Sequence, residues 1–336
     1  MQGHSMRTFV GSPIHLEIER PLVGGELAYL VMQLEAICPH SCRYCFSGTN
    51  PPFKSRMPAL TLGERLKLVA EARAAGVRVI AMPGDGEPLA VPGCRDLISH
   101  ASAVGMVSII YTKGYLLTPE WAEFLAQVNV TVVLSVDSLA EETATRLNAL
   151  PAGWFPKAKR NIQYLRTVFR RRQFRRNGYR MTRLVVNHMV NQLNHGEQEA
   201  IRDWCEDDML FVCHGPSREG RAVNIWNELA GDDERHRELI AYANSLSETG
   251  GNTTARADGK CAYYLNGITI GANGETKACP ASSTSAGSIG TVRTSSLATL
   301  YRSTQETLSH IFGNRLPPCL VRDQSYPTIL SELCVP

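Results

Sequence analysis

Short apolar runs alternate with segments of helical spacing along most of the chain. Six apolar runs predict buried strands, at 29–36, 77–82, 106–112, 130–136, 183–190 and 209–213. Apolar residues three and four apart predict helices between and after them, at 60–75, 95–104, 119–127, 141–147, 157–172 and 195–207. This alternation favours a parallel sheet, because parallel neighbours need a crossover. We therefore predict an α/β fold whose chemistry lies beyond the carboxyl ends of the strands.

The pattern changes near residue 225. Three further elements are predicted: a helix at 232–246, a hairpin at 263–277 with Asn273-Gly274 as its turn, and a helix at 296–311. We therefore predict three parts: an N-terminal extension (1–28), a core domain (29–225) and a small C-terminal α+β domain (226–336).

Composition narrows the class of protein. Hydrophobic residues make up 43% of the 336 residues and charged residues 20%, which favours a packed core over disorder. No apolar run reaches about 18 residues and no signal peptide is evident, so we expect a cytoplasmic protein without a membrane partner. Thiols stay reduced there, so the ten cysteines are expected to bind metal or pack in cores.

Three cysteines are closely spaced after the first predicted strand: Cys38, Cys42 and Cys45. Thiolates bind iron–sulfur clusters, and this spacing lets one loop wrap one cluster. Three ligands leave one iron open to a substrate or cofactor. A structural zinc loop is the alternative, although zinc loops usually bring a fourth ligand at short range. The spacing favours iron–sulfur over zinc.

These cysteines form the pattern CxxxCxΦC, with Tyr44 as the aromatic Φ, and resemble the signature of the radical S-adenosylmethionine (SAM) superfamily. Gly84-Asp-Gly86-Glu87-Pro88 resembles the family's GGEP element for the methionine amino group. Thr112-Lys-Gly114 resembles the TNG turn, with Lys113 in place of Asn.

Polar residues near the later strand ends extend the resemblance. Ser135 and Asp137 are two residues apart and share a face. The resemblance implies that this face meets the ribose or the methionine end of SAM, and that Asn187 lines the same pocket. It also implies a partial (β/α)6 TIM-like barrel, a SAM-binding [4Fe–4S] cluster and a flavodoxin- or ferredoxin-type electron donor. Reductive cleavage of SAM would yield a 5′-deoxyadenosyl radical that abstracts a substrate hydrogen atom.

A second set of cysteines lies near the C-terminus. Cys261 and Cys279 flank the predicted hairpin, where two thiolates can reach one cluster; buried, unliganded cysteines are the alternative. The Gly274-x4-Cys279 spacing resembles the SPASM domain and its shortened form, twitch. The dense CxxCxxxxxC element of a full SPASM domain is absent, so twitch fits better. This resemblance implies one auxiliary [4Fe–4S] cluster, with Cys319 and Cys334 as further ligands or with an iron open to substrate.

Other residues suggest contacts with the substrate. Cys213 ends the sixth predicted strand and is a candidate hydrogen-atom donor, with core packing as the alternative. Arg218 and Arg221 are candidates for gripping an anionic or hydroxylated substrate, with a solvated loop as the alternative. Residues 157–183 hold eleven Lys or Arg and no acid, which suits a phosphate-bearing substrate, a carrier protein, an acidic leader peptide or a solvated surface. Aromatic residues are sparse there, so we expect no nucleic-acid partner.

The substrate expected from the resemblance is a small molecule, because no leader-binding domain is evident before residue 29. We expect a sugar, aminocyclitol or nucleotide-like compound in natural-product biosynthesis, such as antibiotic biosynthesis, with oxidation or epimerisation as the outcome. A peptide or protein maturase and a radical C–C bond-forming enzyme are the alternatives. A non-enzymatic iron–sulfur or zinc protein is the last rival.

Overall fold

A computed structural model describes residues 6–46, 57–246, 260–277, 279–280 and 289–313. The strands are β1 (Arg7–Phe9), β2 (Tyr29–Met32), β3 (Val79–Met82), β4 (Val107–Thr112), β5 (Val130–Ser135), β6 (Phe174–Arg176), β7 (Tyr179–Thr182), β8 (Leu184–Met189), β9 (Leu210–His214), β10 (Gly267–Ile270) and β11 (Thr276–Lys277). The helices are α1 (Pro13–Glu19), α2 (Leu62–Ala74), α3 (Cys94–Ala103), α4 (Pro119–Gln127), α5 (Glu141–Asn148), α6 (Trp154–Phe169), α7 (Gln198–Cys205), α8 (Trp226–Leu229), α9 (Asp233–Leu246), α10 (Ala262–Leu265) and α11 (Leu297–Phe312).

The central sheet follows the predicted strand–helix order. Its strands lie in the order β11-β10-β2-β3-β4-β5-β8-β9, and every neighbouring pair except β10–β11 is parallel. Within the described residues β9 and β11 remain edge strands, so the sheet is open, as in a partial barrel. The predicted α/β class is confirmed.

Local sequence signals account for the element ends. Thr61 caps α2 by accepting from the Glu64 backbone N–H, and the Glu64 carboxylate reaches back to the Thr61 N–H. The helix stops before Gly76, which has φ +96°. Most observed strands are one or two residues shorter than predicted, but β2 covers only four residues because the chain turns into the cysteine loop after Met32.

A second sheet of three strands, in the order β1-β7-β6, was not predicted. Its β6–β7 hairpin lies inside the basic run and turns at Asn177-Gly178, where both residues have positive φ. The partner strand β1 belongs to the N-terminal extension, so part of that extension is structured. Ser12 and Pro13 begin α1 as a capping residue and a first-turn proline.

The two faces of the central sheet are buried differently. One face packs against helices, and here we call it the helix face; Ile110, Phe211 and Cys213 belong to its core. The other, the inner face, packs near its lower end against β1 and α1; Ile109 and Val212 belong to its core. Side chains alternate between the two faces along every strand.

The C-terminal segment joins the same sheet. β10 runs parallel to β2, with Gly267 opposite Tyr29 and Ile270 opposite Met32. The hairpin turns near Asn273-Gly274, as predicted, but its first strand starts at Gly267 because residues 262–265 form a helical turn. None of the described helices has the length and apolarity needed to cross a membrane.

Candidate active site

The largest convergence of sequence-predicted residues is a cavity of about 440 Å³ beyond the carboxyl ends of β2 to β5. Its lining includes the predicted residues Cys38, Cys42, Tyr44, Cys45, Gly84, Gly86, Glu87, Thr112, Ser135 and Arg221. The strand order places these motifs side by side, since β2, β3, β4 and β5 are consecutive neighbours. This is where an open α/β sheet binds ligands.

The cysteine loop is fixed from two sides. The Arg43 backbone N–H donates to the Leu147 carbonyl at the end of α5 (2.9 Å), and the Arg43 guanidinium holds both oxygens of Glu228 at 3.0 and 2.6 Å. The Arg221 N–H donates to the Cys45 carbonyl (2.9 Å). A Cβ on Gly220 would lie 2.3 Å from that same carbonyl oxygen, so only glycine permits this approach.

Gly86 has a similar role on the other side of the loop. A Cβ at this position would lie 2.4 Å from the Ile37 carbonyl oxygen. The next residue, Glu87, donates its N–H to that oxygen (2.9 Å). The Gly84–Glu87 turn is therefore packed directly against the backbone that leads into Cys38.

A buried ion pair lies at the edge of the cavity: Lys113 lines it, whereas Asp137 lies behind Lys113 and lines a neighbouring pocket. Lys113 Nζ lies 2.6 Å from Asp137 Oδ2 and donates to the Tyr44 hydroxyl at 2.8 Å. Burial alone would raise the pKa of Asp137, but the Lys113 ammonium holds it below its usual value. Burial would lower the pKa of Lys113, and Asp137 reverses this, so both groups stay charged. Tyr44 also donates to Asn148 Oδ1 (3.3 Å).

Glu87 is the second acid of the site, and its side chain is 3% exposed. It accepts from the backbone N–H groups of Leu89 and Lys113, both at 3.3 Å. Burial nevertheless raises the pKa of Glu87 to about 7. His40 Nε2 lies 4.0 Å from Glu87 Oε2, and burial lowers the pKa of His40 to about 4, so its ring is neutral. Neither ring nitrogen has a hydrogen-bond partner among the described residues.

The donor set fits an iron–sulfur cluster. Within the described part of the chain, no three His, Cys, Asp or Glu side chains converge tightly enough for a single metal ion. All three cysteines of the loop line the same 440 Å³ cavity, and cysteine thiolates are the usual ligands of iron–sulfur clusters. Burial raises the pKa of Cys42 to about 12, so metal binding must displace its proton.

Three predicted site residues lie elsewhere. Cys213 is fully buried in the core of the helix face and does not line the cavity, which favours core packing over the hydrogen-donor interpretation. Arg218 stacks over Trp226 at 5.7 Å and lines a different pocket. Asn187 pairs with Ser135 across β5 and β8, and its amide lies 3.2 Å from His214 Nε2, beside the cavity rather than in its lining.

The auxiliary-cluster residues are only partly described. Cys261 is half-buried and Cys279 is buried, whereas Cys319 and Cys334 lie outside the described residues. The Pro280 carbonyl accepts from Gln33, which also donates to Asp85 of the glycine-rich turn (2.7 and 2.9 Å). The C-terminal hairpin is thus tied to the edge of the cavity, and the auxiliary cluster stays a prediction.

Tyr111 and His40 also line the cavity and were not predicted as site residues. Tyr111 lines the cavity, and its hydroxyl lies 3.2 Å from that of Tyr263. Strand alternation signals Tyr111, because it shares the inner face with Ile109. Nothing in the sequence signals the burial of His40 against Trp154, at a ring distance of 5.3 Å.

Comparison with known proteins finds a family model that matches the part of the chain carrying these features. Residues 33–182 match the family model of the radical SAM superfamily. The chain is 31% identical over 121 residues to GTP 3′,8-cyclase of Clostridium perfringens and 37% identical over 111 residues to PqqA peptide cyclase of Streptomyces rochei. These matches cover 35% and 33% of this chain, and 37% and 29% of those proteins, about a third of their length.

Solved structures show the same fold at low identity. Streptococcus suis SuiB bound to S-adenosylmethionine gives a TM-score of 0.60 at 14% identity, covering 95% of this chain and 71% of that chain. Native anSMEcpe with bound AdoMet gives 0.58 at 16% identity, covering 91% of this chain and 95% of that chain. Likeness at this level concerns fold, and function has to be argued from the site.

Proposed function

We propose that the chain is an enzyme that reductively cleaves SAM and abstracts a hydrogen atom from a small-molecule substrate. Residues 33–182 match the family model of the radical SAM superfamily, which supports the first part of this proposal. The observation that carries the proposal is the convergence of one three-cysteine loop, a buried glutamate and a Lys113–Asp137 pair on one cavity region at neighbouring strand ends. Each motif alone is common, but parallel strands bring all of them to one edge.

Cys38, Cys42 and Cys45 would hold the [4Fe–4S] cluster. A cluster held there would supply the electron for SAM cleavage, and abstraction of a substrate hydrogen atom would follow. The chain provides position and shielding. Gly86 and Gly220 hold the loop in place through close backbone contacts on both sides.

The polar residues match the groups that SAM presents. Glu87 is a buried acceptor suited to the methionine ammonium, because a charge-assisted hydrogen bond is strongest where water is excluded. Lys113 offers a fixed cation to the carboxylate and is itself held by Asp137. Ser135 lies on the inner face near the ribose position implied by the resemblance.

We propose net oxidation rather than epimerisation as the outcome. The deoxyadenosyl radical would take one hydrogen atom, and the substrate radical would then lose a proton to solvent and an electron to the predicted auxiliary cluster at Cys261 and Cys279. Epimerisation needs a thiol or equivalent donor to return a hydrogen atom, and Cys213 faces the helices. The product should therefore be two hydrogens lighter than the substrate, as mass spectrometry of a turnover mixture will reveal. An unchanged mass would indicate epimerisation, and turnover of a peptide but of no small molecule would indicate a maturase.

The SAM-cleaving activity can be tested without knowing the substrate. Anaerobically reconstituted, dithionite-reduced protein should release 5′-deoxyadenosine from SAM. Cys42→Ala should abolish this release and lower the iron content. Cys94→Ala, which removes a similarly buried thiol on α3, serves as the matched control and should retain both. Equal activity of the two variants, or no 5′-deoxyadenosine from the wild type, would contradict the proposal.

A further inference from the structure

A second cavity lies at the opposite end of the central sheet and has a volume of about 860 Å³. It is lined by residues that precede the strands, such as Asn129 before β5, and by the second sheet. Six arginines line it: Arg73, Arg78, Arg171, Arg172, Arg176 and Arg183. Its only acidic lining residue among those described is Glu19. We call it the arginine cavity.

Two of these arginines have evident structural partners. Arg183 donates to four backbone carbonyls around the end of α4 and the start of β5, those of Leu125, Ala126, Val128 and Val130. Arg73 donates to the Val104 carbonyl at 2.9 Å. These two guanidinium groups have a structural role, because they donate to backbone carbonyls that a helix end leaves without an intrahelical partner.

The remaining arginines are incompletely satisfied. Arg176 pairs with Glu19 at 2.6 Å, and that carboxylate is shared with His15 at 3.4 Å. Arg171 and Arg172 are exposed and have no hydrogen-bond or ion-pair partner among the described residues. Arg78 donates to the Leu16 carbonyl, but its Nε and Nη2 are buried with no partner in the described part of the chain.

The electrostatic balance of this cavity favours an anion. Burial lowers the pKa of Arg183 to about 10, and neighbouring Arg172 acts in the same direction. Burial likewise lowers the pKa of Arg78. One carboxylate cannot neutralise six guanidinium groups, and like charges held this close raise the free energy of the folded chain. A bound polyanion would relieve that repulsion.

We propose that the arginine cavity binds a small molecule carrying two or more phosphate groups. Guanidinium groups bind phosphate oxygens in pairs, and several converging forks suit linked phosphates better than a single one. The site is recessed: Leu16 is 1% exposed and Val107 7% exposed at its floor, and its volume falls within the range of small-ligand pockets. Phe174, 43% exposed among the lining residues, offers an apolar face to a flat group on the ligand.

This site is distinct from the candidate active site. The six-residue strands β4 and β5 separate the two cavities by roughly 20 Å at about 3.3 Å per residue. The basic run at 157–183, for which the sequence leaves several roles open, supplies four of the six arginines, from the turn after α6, the β6–β7 hairpin and the residue before β8. The proposal therefore stands whether or not the chain cleaves SAM.

Calorimetric titration of the whole chain with inorganic tripolyphosphate tests the site. Wild type should bind one tripolyphosphate per chain and should bind inorganic phosphate at least about tenfold more weakly. The double variant Arg171→Gln/Arg172→Gln should weaken tripolyphosphate binding roughly tenfold to a hundredfold, since each removes a charge-assisted contact. Neither side chain has a partner in the described fold, so the variant should fold normally, as circular dichroism will check.

The matched control is Arg237→Gln/Arg302→Gln, which removes the same charge from exposed positions outside the cavity. It should bind tripolyphosphate as the wild type does. Equal weakening by both double variants would mean diffuse attraction to a basic surface and would overturn the proposal. So would the absence of saturable binding. A short RNA or an acidic peptide can be added as a competitor. If it displaces tripolyphosphate at a concentration below that of tripolyphosphate, the cavity binds a macromolecule and the proposal of a small ligand is overturned.

Discussion

Replacing Gly86 with alanine should test how tightly the glycine-rich turn positions the cysteine loop. The added Cβ would lie 2.4 Å from the Ile37 carbonyl oxygen, whereas ordinary contacts begin near 3.4 Å. The two backbone segments must therefore separate by about 1 Å. Gly86 is not among the glycines with positive φ, so this clash, and not backbone strain, causes the effect. A displacement of about 1 Å at a reacting centre costs on the order of 100-fold in rate.

The assay is 5′-deoxyadenosine release by reconstituted, dithionite-reduced Gly86→Ala protein, with iron measured on the same sample. We expect a rate about 100-fold below wild type with unchanged circular dichroism. Gly24→Ala is the control, because a Cβ there meets nothing within 4 Å. A Gly86→Ala rate within about tenfold of wild type would refute the reasoning. If the variant keeps its full iron content but releases 5′-deoxyadenosine slowly, the substitution disturbs the binding of SAM and not the binding of the cluster by the cysteine loop.

Two further predictions concern the surroundings of the site. Cys213→Ala should leave turnover of an identified substrate unchanged, because the side chain faces the helices. Arg166→Met should lower the free energy of unfolding by about 3 kcal/mol, since it leaves the buried Asp208 with only the exposed Arg170 at 3.5 Å in place of Arg166 at 2.7 Å. Burial would raise the pKa of Asp208, but Arg166 holds it below the usual value. The ion pair therefore stabilises the folded state fully above the pKa of an unfolded Asp, about 3.9, and this stabilisation is lost as the pH falls through the lowered pKa of Asp208 in the folded state.

Both the Cys213→Ala and the Arg166→Met predictions have a result that would contradict them. Loss of turnover in a folded Cys213→Ala protein would restore the hydrogen-donor role. For the ion pair, Arg235→Met is the control, because the more exposed Arg235–Glu238 pair at 2.8 Å should contribute only about 0.2–1 kcal/mol. Urea unfolding that finds equal losses for both variants, or a difference for Arg166→Met that persists below about pH 2, would contradict the assigned role of the buried pair.

The parallel sheet was predictable because its strands are continuous apolar runs and its helices carry strong periodicity. The Cys38–Cys45 loop and the Gly84–Glu87 turn were predictable because their spacing is local in sequence. The face of the sheet on which Cys213 lies depends on how β9 pairs with β8. Strand alternation puts Cys213 on the same face as Phe211 and opposite Leu210 and Val212, but the sequence alone does not say which of these faces packs against the helices. The short strand β1 has no such signal, since its three residues are ordered by pairing with β7 about 170 residues away.

The pairing of β10 with β2 also sets an order of events during synthesis. Tyr29 obtains its partner Gly267 only after about 240 further residues have been made, which takes roughly 10 to 50 s at ribosomal rates. Until then the strand that leads into the cysteine loop has one unpaired edge, although Cys38, Cys42 and Cys45 have long left the ribosome. The loop is therefore exposed to thiol oxidation while the chain is still growing, and stable loading of the cluster should follow, not precede, docking of the C-terminal hairpin.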